Sequence, residues 1–158
     1  MQTKKGQKGF SLIELLIVVA IIGIIAAIAV PNLLASRRSA NEGSAIGSVR
    51  SLNTAEMEYF TTTGENLNYG ELADLETANL IDSVLAGGTK SGYNFAIGGL
   101  VAGGGRDAAQ FDVTAEPVSA SPITGTGTRG FYSNETAVIY GTVGADAGSR
   151  DTPGTPIQ

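Results

Sequence analysis

Residues 10–30 read FSLIELLIVVAIIGIIAAIAV, 21 residues carrying a single charge at Glu14. At ~1.5 Å per residue a helix of this length is roughly 30 Å long, the thickness of a bilayer's hydrocarbon core. A helix that packs on a globular core keeps a polar face, and this run has none, so it reads as a membrane-spanning segment. Lys4, Lys5 and Lys8 precede it. By the positive-inside rule they favour a cytoplasmic start and an exported remainder, an asymmetry that Arg37 and Arg38 on the far side weaken. A secretory leader cut behind the small residues near Ala27 and Ala29 is a rival reading, and a plain membrane anchor is another. Both leave Glu14 without a purpose, and a leader cut there would put Pro31 almost at the new terminus.

An ionised side chain inside a membrane span costs a few kcal/mol and marks a function with a nameable partner. A cut between Gly9 and Phe10 supplies that partner. The new amine of Phe10 would lie four residues before Glu14, one helical turn away on the same face. When two such helices pack side by side with an axial offset, the carboxylate can instead meet the amine of a neighbour and set the register between copies.

Composition narrows the chemistry. The chain has 158 residues, a net charge of −5 and no cysteine, histidine or tryptophan. Zinc clusters, thiol or imidazole nucleophiles and Ser-His-Asp triads are thereby excluded, and no disulfide can form. An enzyme is not expected. Removal of residues 1–9 would leave 7 basic against 15 acidic side chains, a net −8, which opposes a nucleic-acid surface.

The stretch KGFSLIELLIVVAIIGIIAAIAVPN resembles the class III signal of type IV prepilins and of the pseudopilins of type II secretion. It has a short basic leader ending in Gly9, then Phe10, then a glutamate fifth from the cut, and Pro31 closing the apolar run. The resemblance implies cleavage after Gly9 by a prepilin peptidase, N-methylation of Phe10, and use of Glu14 with Phe10 in docking an incoming subunit. It further implies a homopolymeric helical filament, an inner-membrane assembly platform with ATPase-driven machinery, residence in the inner membrane before assembly, and then a place in a surface pilus. YGELADLETANLIDSVLAGGTKSGYNF is similar to a region of pilins and major pseudopilins where a short helix leads into the sheet. Many pilins close a C-terminal loop with a disulfide. Here that loop must rely on hydrogen bonds, packing or a cation, or be mobile, which favours families lacking the bridge.

Beyond Pro31, which should kink the helix, helical periodicity continues over 32–63. Ala45, Val49, Leu52, Tyr59 and Phe60 share one stripe, interrupted by Glu56, and Ser36, Ala40, Gly43, Gly47 and Ser51 the opposite one. The apolar stripe should cover the subunit's own sheet. For Gly43 and Gly47 two readings stay open, close helix packing between copies or simple weakening of the helix. Gly23 and Ala27 repeat the small-xxx-small spacing within the span. Thr61 to Gly64 should end the helix, and a short helix is expected within 70–80 with Leu72 and Leu75 inward.

Alternation at Tyr93, Phe95 and Ile97, at Phe111 and Val113, and in short runs at 130–133 and 137–141 predicts four antiparallel strands. Turns fit at Gly98-Gly99 or Gly103–Gly105, at 119–128 and at Asn134-Glu135. The expected chain is thus an α+β, pilin-like subunit with a long kinked N-terminal helix on a four-stranded antiparallel sheet. Its parts are a leader (1–9), a membrane or filament-core helix (10–30) and a globular domain (31–158) made of a helix half (32–63), a connection (64–90), a sheet (91–142) and a polar tail (143–158).

Other motifs fall away. Gly125–Gly130 spells G-x-G-x-x-G but leads into a strand, not a helix, so it reads as a turn. Gly103, Gly105 and Ala108 fail alike, and Lys90-Ser91 lacks the glycine of a phosphate loop. Glu56 with Glu58, and Asp74 with Glu76, are spaced too closely to face one another on a helix. No cofactor is expected. The one candidate cation site is Ca²⁺ at Glu135, Asp146 and Asp151, without EF-hand spacing. Asn134-Glu135-Thr136 is a glycosylation sequon by pattern, or a hairpin turn. The remaining rival is a monomeric domain for which the helix is only a tether.

Overall fold

The computed structural model describes residues 9–104, 108–121 and 123–157. Lys4, Lys5 and Lys8 of the expected leader, and Gly105 of the expected turn, lie outside them. Helix α1 runs Leu12–Thr62, 51 residues, with helical backbone continuing through Pro31. Proline lacks an amide hydrogen, so α1 forgoes one i to i−4 bond there without losing its helical course.

The buried stripe falls as the periodicity predicts, with Ala45, Val49 and Leu52 fully buried and Tyr59 and Phe60 half-buried. The small-residue stripe of Ser36, Ala40, Gly43, Gly47 and Ser51 is exposed. Past Thr62 the chain turns through Glu65 (φ 54°) and Asn66 (φ 58°) in the left-handed region. Gly64 serves close approach instead, since a Cβ there would overlap the Asn68 carbonyl. Helices α2 (Leu72–Thr77) and α3 (Ser83–Ala86) follow, with Leu75 and Leu85 turned into the core. Asp82 starts α3 by accepting the Leu85 amide at 2.7 Å.

The sheet has six strands, not four: β1 (Thr89–Lys90), β2 (Tyr93–Val101), β3 (Gln110–Pro117), β4 (Arg129–Asn134), β5 (Ile139–Val143) and β6 (Thr155–Ile157), an antiparallel meander in sequence order. The four expected strands are β2 to β5. The two added ones are edge strands too short to show alternation, and β6 contains Pro156, tolerated because an edge position need not donate. Strand β2 runs on through Gly98 and Gly99 with a register shift before Val101, so the β2–β3 turn lies further on. Asn134 makes the expected hairpin turn, its Oδ1 accepting the Thr136 amide at 3.0 Å.

One sheet face packs on α1. Tyr93, Phe95, Phe111, Val113, Ala115, Phe131 and Ile139 close the core with the buried stripe, each large side chain contributing ~1.5–3 kcal/mol by leaving water. The buried face of α1 also carries polar pegs. Glu42 Oε1 accepts the Thr128 amide at 2.9 Å and its hydroxyl at 2.6 Å, while Oε2 accepts from Arg129 Nε at 3.0 Å and Nη2 at 2.9 Å. Burial works to raise the Glu42 pKa, but these bonds together outweigh it and hold the carboxyl below its usual range. Asn53 donates to Ser133 Oγ at 2.7 Å, and Asn41 to the Thr126 carbonyl at 2.8 Å.

The polar tail, expected to be poorly ordered, lies across the other sheet face. Ala147 is fully buried over Gly130, where a Cβ would overlap the tail's backbone. Arg150 then clasps Glu135 (2.7 Å) and Asp112 (2.7 Å) and donates to the Phe111 carbonyl at 3.0 Å. The hydrogen bond from Arg150 to Glu135 holds that carboxyl below its usual range against the opposing effect of burial. The cysteine-free end is therefore held by one guanidinium and by strand β6.

Two outcomes are expected. Glu42→Ala leaves the Thr128 amide and the Arg129 guanidinium without their acceptor and should cost about 2 kcal/mol in thermal unfolding of the detergent-solubilised chain. Because the folded pKa is depressed, that contribution is present at neutral pH and is lost as pH falls through the folded pKa, so the gap between wild type and variant should close in acid. Arg150→Ala should speed protease cleavage within 144–157 severalfold while the helix content seen by circular dichroism stays unchanged.

Candidate docking site at the start of the long helix

The span's chemistry begins with its surroundings. Within Leu12–Thr62 the most apolar 18-residue window has no residue buried by the rest of the chain. Leu12 is 80% exposed, Ile24 64% and Ile28 65%. A row of such side chains costs on the order of tens of kcal/mol in water, so it calls for an apolar cover that the described residues do not supply.

Gly9, Phe10 and Ser11 precede the helix, and Phe10 is exposed. Ser11 takes the N-cap position in extended conformation (φ −76°, ψ 141°). Glu14, third residue of the helix, folds its carboxylate back so that Oε2 accepts the Ser11 amide at 3.0 Å, while the Ser11 carbonyl accepts the Glu14 amide at 3.1 Å. This is capping-box geometry. In the intact chain the acid expected to await an amine is thus engaged with an amide one residue after Phe10. Scission at the Gly9–Phe10 bond would create an ammonium next to the group that Glu14 already grips. The second carboxylate oxygen has no partner among the described residues.

Gly23, Ala27, Gly43 and Gly47 are all exposed, and nothing lies within 4 Å of where a Cβ would stand on the three glycines. At about 100° per residue the Gly23/Ala27 pair and the Gly43/Gly47 pair fall on roughly opposite sides of α1. The later pair points away from the subunit's own sheet.

The other candidates are not drawn together. Glu135 is bound to Arg150, Asp146 accepts the Gly148 amide at 2.8 Å, and Asp151 sits in an exposed bend. Among the described residues no three acidic side chains gather as a cation cage. Glu56 is buried while Glu58 is exposed, and Asp74 accepts the Glu71 amide at 2.9 Å. Gly127 packs on the Tyr93 ring and Gly130 lies inside β4, with no helix following. Lys90 pairs with Asp82 at 3.0 Å. Sequence reasoning missed Glu42 and Arg150 because their partners lie 15 to 87 positions away. It also noticed Glu56 without explaining it.

The family motif described as the prokaryotic N-terminal methylation motif matches residues 4–30. The chain is 63% identical over 38 residues to the type IV wide pilus major component of Thermus thermophilus, covering 24% of this chain and 29% of that protein. It is 36% identical over 106 residues to a fimbrial protein of Pseudomonas aeruginosa, 67% of this chain and 60% of that one. It is 28% identical over 99 residues to the type II secretion system core protein G of Escherichia coli, 59% of this chain and 65% of that one. The matches therefore span less than two thirds of these relatives' own lengths. No solved structure gives a significant match. With a methylation motif at its start, an uncovered apolar helix behind it, and an antiparallel sheet packed on that helix's second half, the chain is similar to type IV pilins and to type II secretion pseudopilins.

Proposed function

We propose that the chain is the structural subunit of a type IV pilus. Prepilin peptidase cuts after Gly9 and the new Phe10 amine is methylated. The subunit waits in the inner membrane and is then drawn by an ATPase-driven platform into the base of a growing filament. Its role there is mechanical and adhesive, with no catalysis of its own. The bare span of α1 supports this above all, because the fold offers it no internal cover. As the helix leaves lipid it exchanges one apolar environment for another made of its own copies, so apolar area does not oppose extraction.

Glu14 supplies what apolar area cannot, a fixed axial register. A carboxylate in the span is costly unless paired, and an ammonium on a neighbouring copy lowers that cost only at one offset. Gly43 and Gly47, exposed and without a Cβ, allow close approach of helices in the assembled core.

A second reading, the major pseudopilin of a type II secretion system, is favoured by the match to core protein G and by the cysteine-free tail. Long surface fibres containing the chain would assign it to a pilus, and their absence with protein secretion lost on deletion would assign it to a pseudopilus.

Glu14→Ala should leave membrane insertion and leader removal intact and lower recovered polymer at least tenfold, read by fractionation and shearing. Normal filament abundance from that variant would overturn the docking role. The sheared material should begin, by mass, at a methylated phenylalanine.

A further inference from the structure

Glu56 is a fully buried acid with one hydrogen bond. It lies on the α1 face that packs inward, where its Oε2 accepts the Gly70 amide at 3.0 Å and its Oε1 has no partner. Gly70 lies near the end of a strap, residues 64–71, that joins α1 to α2. The strap's other anchors are apolar or neutral. The Tyr69 ring lies between Phe60 (4.8 Å) and Phe111 (4.5 Å), and the Leu67 carbonyl accepts the Gly103 amide at 2.6 Å. A Cβ on Gly70 would come within 3.1 Å of Asp74 and 3.2 Å of the Tyr59 ring, so the peptide is wedged between α2 and α1.

We propose that Glu56 is a protonation latch: its neutral carboxyl holds the strap against the long helix, and loss of its proton to solvent frees the strap together with its contact to Gly103. Two unfavourable states compete in this dry site. A neutral carboxyl leaves one hydroxyl without an acceptor, whereas an anion lacks solvation and a counter-charge, and the anion is the more costly. The ionisable groups facing Glu56 are Asp74 from α2 and Tyr69 from the strap, and none of the groups acting on it is a cation. Glu135 on the β4–β5 turn acts on Tyr69 and adds to the negative field. Burial pushes the Glu56 carboxyl up to about 7, with the Gly70 hydrogen bond opposing and the Asp74 charge assisting. Since the folded pKa is raised above the ordinary 4.5 that the carboxyl regains when the strap opens, the contribution of the neutral seat is complete below 4.5, falls as pH rises, and is gone once the folded value of about 7 is passed. The latch operates whether the subunit serves a pilus or a pseudopilus, and does not depend on Glu14.

The test is amide hydrogen exchange of the full chain in detergent micelles from pH 5.5 to 8.5, corrected for intrinsic exchange. Protection at Gly70 and its neighbours should fall at least fivefold between pH 5.5 and 7 and level off above that. Glu56→Gln should show no such fall, Asp74→Asn should level off at a lower pH, and the exposed control Glu58→Gln should behave as wild type. Flat protection in the wild type, or the same fall surviving in Glu56→Gln, would overturn the latch. Should Glu56→Gln fail to fold, carboxyl carbon NMR of the wild type decides. A Glu56 midpoint near 7 that moves the Gly70 amide supports the latch, and one near the ordinary 4.5 sinks it.

Discussion

A helix half that its own fold cannot cover governs the rest of the molecule. Residues 10–30 of this chain have no internal partner, so this part is stable only in lipid or among copies of itself. Every other feature of the fold answers to that division. The second half of α1 is committed to the sheet on one side and left bare and small on the other, where Gly43 and Gly47 stand clear of any neighbour. On the proposed reading, one continuous element both anchors the subunit and joins it to its copies. Glu14, placed at the start of that element, is the one ionisable side chain in residues 10–30, and on the proposed reading it would distinguish one offset between copies from another.

The globular half is fastened to the helix by a different principle. Apolar contact between Ala45, Val49, Leu52 and the rings of β2, β3 and β4 supplies the bulk of the attraction, but it is weakly directional. Glu42, Asn53 and Glu56 project from the same buried face and each meets a different target: the start of β4, the end of β4, and the strap before α2. Spaced along about four turns of helix, they fix how the sheet sits on α1. On the far side of the sheet, Arg150 draws Asp112 and Glu135 to one guanidinium and closes the tail without a covalent bridge. A planar donor fork grips both oxygens of Glu135 while reaching Asp112 and the Phe111 carbonyl, a geometry that a lysine's compact ammonium does not match.

Most of α1 and the four central strands are legible along the chain, because a span of 21 apolar residues, a 3.6-residue stripe and alternation at Tyr93, Phe95 and Ile97 are local signals. The family motif is equally local, confined to residues 4–30. What was not legible is short or distant. Strands β1 and β6 have two and three residues, too few for a period. The helix stops at Thr62 within the expected Thr61–Gly64 stretch, but the left-handed residues that turn the chain are Glu65 and Asn66 and not Gly64. The tail looked loose because Gly, Ser, Thr and Pro dominate it, and only the sheet's outer face gives Ala147 and Arg150 somewhere to bind.

Sequence alone therefore determined the membrane-length helix, the misplaced acid within it, the absence of imidazole and thiol chemistry, and the α+β class, since each depends on residue type and spacing within a few turns of chain. Tertiary structure alone decided the six-stranded meander, the Glu42 and Arg150 clasps and the partner of the buried Glu56. These join groups 14 to 87 positions apart, and a pairing at such separation is set by which surfaces meet once the helix and sheet have packed.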